Sequence, residues 1–212
     1  MMPKRIYLIR HGETEGTAEG RMLGSTDQPL SDRGSSQVRR LAELLGPSLR
    51  GPRATWCVAS PLRRAQQTAQ GVAGPLGLAI STDPDLREMD FGAWEGLTTD
   101  EVEVLFPGEQ EQWLSPTGDS AFPDGESLAG FEERVMKAQK RIFDRPEEQV
   151  VVFAHGGVVR QLVCGILGLG RDGYWLFAVQ PASVTRIDLY DGGIEAGAFL
   201  SGLWSVHDWE AG

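Results

Sequence analysis

Short apolar runs alternate with amphipathic segments along most of the chain. The first run, Lys4–Arg10, reads KRIYLIR and predicts a buried strand that ends in a charged residue. Residues 54–59, residues 78–81 and Gln149–Ala154 predict three more strands, and the last of these, QVVVFA, is apolar or uncharged throughout. A continuous apolar strand is typical of a parallel sheet that is covered on both faces.

The segments between these strands show the periodicity of helices. One helix is expected to begin at Ser31 and to stop at Gly46-Pro47. A second is expected to use Ser60-Pro61 as its N-cap and first residue and to run to about Gly71. A third is expected over residues 127–143, and Gly156-Gly157 opens a fourth. The apolar positions at helical spacing are Val38, Leu41, Leu44 and Leu45 in the first helix and Leu128, Phe131, Val135, Ala138 and Ile142 in the third.

A less regular stretch, residues 83–125, interrupts the alternation. It contains four prolines and one expected short helix near residues 99–106, and we expect a small lid insertion at about residues 97–126. Thirteen acidic residues and no lysine or arginine lie between Glu88 and Glu133, counting both ends. This acidity is explained either by a solvated loop region or by a lid that repels anionic substrates.

The order of strands and helices predicts the fold class. Strands that alternate with helices indicate an α/β fold, a three-layer α/β/α sandwich with a mostly parallel, mixed sheet and a small lid insertion. Residues 184–190 and 194–200 predict a terminal hairpin around Asp191-Gly192-Gly193. The 212 residues suit a single domain, residues 1–212. The hairpin places one strand at the edge of the sheet. Pairing of this edge strand with a second copy of the chain would form a homodimer, which stays an open alternative.

Composition excludes several classes of protein. A net charge of −10 argues against nucleic acid as a partner, because binding to phosphate backbones needs a basic face. No run of 18 apolar residues is present, so no membrane partner is expected, and the N-terminal apolar run is too short for a signal peptide. A cytoplasmic location is therefore expected. Cys57 and Cys164 are expected to be buried thiols, with a disulfide or a catalytic cysteine as the alternatives.

Charged and polar side chains follow the predicted strands at their carboxyl ends, where a sheet of this kind binds its ligands. Because buried charges cost several kcal/mol unless they are paired, such a set is unusual for stability alone. The set consists of Arg10-His11-Gly12 after the first strand, Ser60 and Arg64 after the second, Glu88 after the third and His155-Gly156-Gly157 after the fourth.

Each of these residue types has a role in phosphoryl transfer. Arginine forks bind phosphate oxygens, and helix N-termini add N–H donors. A neutral imidazole attacks phosphorus, a carboxylic acid protonates the leaving oxygen, and a second imidazole stabilises the transition state. The alternatives are histidines that only satisfy local hydrogen bonds and a metal site for the pair. The sequence contains no HxxxH, HxH or CxxC spacing that would favour a metal. His207 lies in the tail and is expected to be inert.

Five stretches carry a family resemblance. They are residues 8–14 (LIRHGET), 24–34 (GSTDQPLSDRG), 60–69 (SPLRRAQQTA), 86–88 with 91–96 (LRE and FGAWEG) and 154–160 (AHGGVVR). Together they resemble, in family order, the histidine phosphatase superfamily, which is also called phosphoglycerate-mutase-like. The resemblance spans residues 4 to about 165 and implies a phosphatase that needs no metal and no cofactor.

The resemblance also implies a role for each matching residue. His11 becomes phosphorylated, Arg10 and Arg64 hold the phosphoryl group, His155 completes the pocket and Glu88 is the proton donor. These roles give His11, Glu88 and His155 as catalytic residues.

Two further positions, Gly156 and Thr17, complete the expected site. Gly156 supplies backbone donors at a helix N-terminus, and Arg63, next to Arg64, is expected to face solvent. Thr17 stands where the family often has asparagine. Its hydroxyl can still donate to a phosphate oxygen, but it offers one donor instead of two.

The expected activity is that of a metal-independent, acid-type phosphomonoesterase that hydrolyses small-molecule phosphate monoesters through a phosphohistidine intermediate. The acidic lid favours a substrate whose remainder is neutral or apolar. Residues 125–127 and 131–134 are similar to a stretch of broad-specificity and α-ribazole-phosphate phosphatases. The alternatives are a cofactor-dependent phosphoglycerate mutase, a phosphatase acting on phosphoproteins, and a non-catalytic binding module. Two alternatives stay open for five aromatic residues: they line the leaving-group side of the site or they pack in the core. These residues are Phe91, Trp94, Phe106, Trp113 and Phe122.

Overall fold

A single mixed sheet organises the protein. The structure is a computed structural model that describes residues 3–114, 121–190 and 198–205. Within these ranges the strands are β1 (Lys4–Arg10), β2 (Thr55–Ala59), β3 (Ile80–Thr82), β4 (Gln149–Ala154), β5 (Ser183–Leu189) and β6 (Ala198–Ser205). They lie in the order β3-β2-β4-β1-β5-β6. The first four strands are parallel, and β5 and β6 form an antiparallel pair beside β1.

The strand register brings three carboxyl ends together. Arg10 at the end of β1 lies opposite Ala154 at the end of β4, and Ala59 at the end of β2 lies opposite Phe153. The residues that follow these strands therefore meet at one edge of the sheet.

Helices cover both faces of this sheet. In chain order they are α1 (Glu15–Ala18), α2 (Asp32–Leu49), α3 (Arg63–Ala73), α4 (Thr99–Leu105), α5 (Glu109–Leu114), α6 (Leu128–Phe143) and α7 (Gly156–Leu167). Side chains of α2 and α3 pack on one face, and side chains of α6, α7 and the segment around Trp94 and Phe122 pack on the other. The expected three-layer sandwich with a mostly parallel, mixed sheet is confirmed.

Alternation along β1 supplies both layers of the core. Ile6 and Leu8 contact the α6 and α7 side, whereas Tyr7 and Ile9 contact the α2 and α3 side. Successive side chains of a strand point to opposite faces, so four consecutive apolar residues are needed between two helical layers. Among the described residues, no helix combines the length and the apolar character that a membrane crossing needs.

Most expected elements are confirmed, and their boundaries have physical causes. The five apolar positions expected on α6 are all buried, and the Ser127 hydroxyl accepts a hydrogen bond from the Gly130 N–H as the N-cap. The short helix expected near residues 99–106 is α4. Cys57 and Cys164 are free and buried, and burial raises the pKa of the Cys57 thiol to about 11.

The expected stop of α2 at Gly46-Pro47 is wrong. The helix continues to Leu49, with Pro47 inside its last turn. Proline removes one N–H from the helix, but the Arg50 N–H still donates to the Gly46 carbonyl at 3.0 Å. Burial of Leu49 holds this last turn against the core.

The expected N-cap of α3 at Ser60 is also wrong. This helix begins at Arg63 after Leu62, because the Ser60 hydroxyl is engaged by the His155 ring and the Leu62 N–H. The third strand starts at Ile80 instead of residue 78.

The expected hairpin is present as β5 and β6, although its second strand starts at Ala198. Residues 191–197, on which the expected turn and the start of the second strand fall, lie outside the described residues. His207 also lies outside them.

The first turn of α2 packs directly on the segment after β1, and this contact requires glycine. A Cβ atom at Gly34 would lie 2.0 Å from the Glu13 carbonyl oxygen. We expect Gly34→Ala to lower the free energy of unfolding by about 1 to 3 kcal/mol, because the backbone must shift. Gly46→Ala in the same helix is the matched control, since its nearest neighbour is the Arg50 Nη1 atom at 4.0 Å. The control should be neutral or stabilising by up to about 1 kcal/mol. The free energy of unfolding of both variants is measured by denaturant titration. An equal loss of stability in Gly34→Ala and Gly46→Ala would contradict this explanation.

Candidate active site

His11 directly follows β1 and is only 3% exposed. Its Nδ1 atom lies 2.6 Å from the Gly12 carbonyl oxygen. Because a carbonyl only accepts, Nδ1 carries the proton and Nε2 keeps a free lone pair. Burial, followed by the charges of Arg10 and Arg64, holds the pKa of His11 well below its usual value. The ring is therefore a neutral imidazole with an available nitrogen.

His155 is the N-cap residue of α7 and is completely buried. Its ring centroid lies 5.1 Å from that of His11 in an edge-on arrangement. Its Nδ1 accepts from Arg64 Nε at 3.2 Å, so Nε2 carries the proton and donates to Ser60 Oγ at 2.8 Å. Burial and then Arg64 hold the pKa of His155 well below its usual value. Both ring nitrogens have protein partners, so donation by His155 to a phosphate stays a prediction.

Arg64 is buried beside His155, whereas its neighbour Arg63 is exposed as expected. Besides its bond to His155, the guanidinium donates to the carbonyls of Leu23, Gly24 and Thr26 at 2.8 to 3.0 Å. Most of its five N–H groups are thus used to hold the loop at residues 23–26. The role of Arg64 in holding a phosphoryl group stays a prediction, and its observed role is to fix this loop against the site.

Glu95 holds the same loop from its other side. Its carboxylate accepts from the backbone N–H groups of Gly24, Ser25 and Thr26 at 2.8 to 3.1 Å. The loop carbonyls therefore face Arg64 while its N–H groups face Glu95. The sequence analysis did not single out Glu95, although it lies in the FGAWEG stretch.

Arg10 differs from Arg64 because its guanidinium is largely unengaged. Its Nη1 donates to the Val179 carbonyl at 2.6 Å, while its buried Nε has no hydrogen-bond partner. Burial, with Arg160 and Arg64 nearby, lowers the pKa of Arg10 to about 10, although Glu88 opposes this. A buried donor without an acceptor is costly, and an anion would satisfy it.

Gly156 brings the first turn of α7 against Arg10. A Cβ atom at this position would lie 3.5 Å from the Arg10 Cζ atom. The N–H groups in the first turn of a helix have no acceptor within the helix, so they add donors to the space that Arg10 faces. The expected arrangement of Arg10 and Gly156 at one anion site is therefore supported by their positions.

Glu88 links the segment after β3 to α7. One carboxylate oxygen accepts from the Met89 N–H at 3.0 Å, and the other accepts from the Gly157 N–H at 3.0 Å. The Glu88 charge acts on both Arg10 and Arg64. The carboxylate therefore lies at the same edge of the sheet as the two arginines, as the sequence analysis expected.

Arg134 on α6 fixes the segment that carries Glu88. Its guanidinium donates to the backbone carbonyls of Asp85, Arg87 and Glu88 at 2.6 to 3.0 Å. It also pairs with both carboxylate oxygens of Glu126 at 2.6 and 2.7 Å. No role for Arg134 was expected from the sequence, although the stretches at residues 125–127 and 131–134 that resemble other phosphatases contain both Glu126 and Arg134. The pairing of these two side chains explains the distance between the two stretches along the chain.

Thr17 is used in a local cap. Its hydroxyl donates to the Thr14 carbonyl at 3.0 Å and accepts from the Thr14 N–H at 2.8 Å, which completes a capping box on α1. Its proton is therefore engaged within the loop after His11. Donation from Thr17 to a phosphate stays a prediction and requires the hydroxyl to leave Thr14.

A pocket with mainly aromatic and apolar walls adjoins Glu88. Its lining residues are Met89, Trp113, Leu128, Phe131, Tyr174 and Trp175, with Gln161 and the paired Glu132 and Arg171. Of the aromatic residues considered for the leaving-group side, Trp113 lines this pocket. Trp94 and Phe122 are buried in the core, and Phe91 and Phe106 pack against it.

The acidic residues between Glu88 and Glu133 do not all face the site. Glu95 binds backbone N–H groups, Glu126 pairs with Arg134, and Glu132 pairs with Arg171. These carboxylates are therefore compensated, which weakens the expectation that the acidity of the whole region repels anionic substrates.

The fold and the site together define a class of protein. A family model described as the histidine phosphatase superfamily, branch 1, matches residues 6–199. The chain therefore belongs to the histidine phosphatase superfamily.

Individual relatives cover most of the chain. It is 36% identical over 185 residues to "Probable phosphoglycerate mutase GpmB" of Enterobacter sp. (strain 638), which covers 87% of this chain and 84% of that protein. It is 33% identical over 225 residues to the glucosyl-3-phosphoglycerate phosphatase of Mycolicibacterium vanbaalenii, covering 100% and 96%. The crystal structure of the α-ribazole phosphatase from Shigella flexneri matches with a TM-score of 0.81 at 28% identity, covering 94% of this chain and 95% of that chain.

The unengaged fork of Arg10 gives a direct test of the anion site. We expect Arg10→Lys to weaken binding of inorganic phosphate about tenfold, because lysine keeps the charge but loses the paired donors. Arg63→Lys, an exposed arginine in the same region, is the matched control and should bind phosphate like the wild type. Titration calorimetry measures both. Unchanged affinity in Arg10→Lys would place the anion elsewhere.

Proposed function

We propose that this protein is a phosphomonoesterase that hydrolyses small-molecule phosphate monoesters through a phosphohistidine at His11, without a metal ion. The observation that carries the proposal is the free Nε2 of a neutral, buried His11 near Arg10, whose Nε has no hydrogen-bond partner and on whose charge Glu88 acts. A nucleophile, an anion-binding fork and a carboxyl group are what phosphoryl transfer to an enzyme side chain requires.

In the first half of the reaction, the phosphate of the substrate binds to Arg10 and to the N-terminal turn of α7. The His11 Nε2 lone pair attacks phosphorus while the bond from phosphorus to the leaving oxygen breaks. Glu88 transfers its proton to that oxygen, and the alcohol departs. The Gly12 carbonyl keeps the other ring nitrogen of His11 protonated, and it stabilises the positive charge that the ring acquires.

In the second half, water attacks the phosphohistidine. Glu88, now a carboxylate, takes a proton from the water as the new bond from oxygen to phosphorus forms. The bond from His11 Nε2 to phosphorus breaks, the imidazole becomes neutral again, and inorganic phosphate is released. Because Glu88 must be protonated for the first half and ionised for the second, we expect an acidic to neutral optimum.

The pocket beside Glu88 supports the expected class of leaving group. Its walls are aromatic and apolar, and its arginine, Arg171, is paired with Glu132 at 3.2 Å. A pocket without uncompensated charge favours a neutral leaving group with an apolar or ring-shaped face. The similarity to an α-ribazole phosphatase and to a glucosyl-3-phosphoglycerate phosphatase supports the same reaction class. The proposed substrates are therefore α-ribazole-phosphate-like compounds or a broad range of monoesters.

The similarity to a protein named as a probable phosphoglycerate mutase favours a second candidate function. A mutase must hold a second anionic group next to the phosphate. No lysine or arginine occurs between residues 88 and 133 to bind such a group. The phosphatase is therefore the stronger proposal, and conversion of 3-phosphoglycerate to 2-phosphoglycerate would reveal the mutase.

The proposal is tested by hydrolysis of p-nitrophenyl phosphate from pH 4 to 8 with excess chelator. We expect activity that survives the chelator and persists at pH 5, because the lowered pKa of His11 keeps its nucleophilic nitrogen unprotonated below the usual range. His11→Ala should lose at least about 100-fold in kcat. Activity that disappears with chelator would exclude a metal-independent reaction. Retained activity in His11→Ala would exclude the proposed nucleophile.

A further inference from the structure

Tyr174 lies outside the five stretches that carry the family resemblance, in the short helical segment Arg171–Leu176 after α7. Its hydroxyl nevertheless lies near Glu88, the proposed proton donor. A Cβ atom placed on Gly157 would lie 2.9 Å from the Tyr174 hydroxyl oxygen and 2.5 Å from the Glu88 Oε1 atom. The two oxygens therefore face the same small space beside the first turn of α7.

Arg160 packs against the ring of Tyr174. Its guanidinium lies over the rings of Tyr174 and Trp175, at 5.6 and 5.4 Å from their centroids, and its Nε donates to the Phe177 carbonyl at 3.0 Å. Its positive charge also acts on the Tyr174 hydroxyl. Arginine has only donors, so the phenolic proton cannot be given to Arg160 and is available to another partner.

The surroundings keep this phenol protonated. Burial, followed by the negative charge of Glu88, raises the pKa of Tyr174. A phenol that stays protonated is a permanent donor, and Glu88 Oε1 faces the same space. The existing bonds of Glu88 to the Met89 and Gly157 N–H groups leave further lone pairs on both oxygens.

We propose that Tyr174, oriented by Arg160, is a positioning residue that holds the Glu88 carboxyl group for proton transfer to the leaving oxygen. This inference rests on the proposed function. In the step itself the proton moves from Glu88 to the leaving oxygen as the bond from that oxygen to phosphorus breaks, and Tyr174 keeps its own proton. A group that acts through Glu88 matters most where the leaving oxygen needs a proton.

The test compares two leaving groups in Tyr174→Phe. Benzyl phosphate releases an alcohol that must be protonated, whereas p-nitrophenyl phosphate releases a stable anion. We expect kcat/KM for benzyl phosphate to fall about tenfold and kcat/KM for p-nitrophenyl phosphate to change less than about twofold, because only the first reaction depends on general acid catalysis. A role in packing alone would lower both values alike.

Two further variants define the cause. Tyr190→Phe makes the same chemical change at a tyrosine that is 46% exposed at the end of β5, and it should leave both substrates unchanged. Arg160→Lys keeps the Tyr174 ring and loses the guanidinium, so it should reproduce the selective loss on benzyl phosphate. Thermal melting of each variant verifies that it is folded.

The outcomes separate this inference from the proposed function. A wild-type protein that hydrolyses neither substrate overturns the proposed function and the inference with it. A wild-type protein that hydrolyses both, with Tyr174→Phe losing both equally or neither, overturns the inference alone. A loss confined to benzyl phosphate in Tyr174→Phe and Arg160→Lys supports it.

Discussion

The site depends on one constraint, which is that several arginine side chains bring positive charge together at the buried edge of the sheet. Arg64 and Arg160 both lie close enough to act on Arg10, and Glu88 is a carboxylate that acts on both Arg10 and Arg64. Such charge costs free energy unless hydrogen bonds or counter-ions compensate it. The protein compensates Arg64 with carbonyls of the loop at residues 23–26 and leaves Arg10 Nε without a partner. The proposed binding of phosphate would give Arg10 Nε an acceptor and supply a counter-ion.

The same charge sets the protonation of the two histidines. Arg10 and Arg64 both disfavour a proton on His11, and burial disfavours it more. A protonated imidazole cannot attack phosphorus, so the groups proposed to bind the anion also favour the neutral form of the proposed nucleophile. His155 is held neutral in the same way, and its hydrogen bond fixes the Arg64 side chain. The proposed binding of the anion and the proposed activation of the nucleophile therefore depend on the same arginine charges.

Much of this arrangement is predictable from the sequence, because residues after parallel strands meet at one edge. This rule alone is enough to group His11, Arg64, Glu88 and His155 at the same end of the sheet. The uniformly apolar β4 likewise predicts a sheet covered on both faces, which the structure confirms. These predictions hold because they depend on strand direction and side-chain alternation, which are local properties of the chain.

Other features depend on partners that a local pattern does not contain. Ser60 looks like a helix cap, but a histidine 95 residues away takes its hydroxyl. Thr17 looks like a phosphate ligand, but it completes a capping box with Thr14. Arg134 looks like an ordinary helix residue, yet it clamps three carbonyls of the Glu88 segment. Each of these side chains has several acceptable partners, and only tertiary packing selects one.

The central claim is that phosphate is transferred to His11. The most direct measurement mixes enzyme and p-nitrophenyl phosphate, quenches the reaction with alkali within milliseconds, and maps the phosphorylated peptide by mass spectrometry. We expect a phosphoryl group on His11 that is stable to alkali, labile to acid and absent from His11→Ala. A phosphoryl group on any other residue, or turnover without any phosphorylated enzyme, would contradict it.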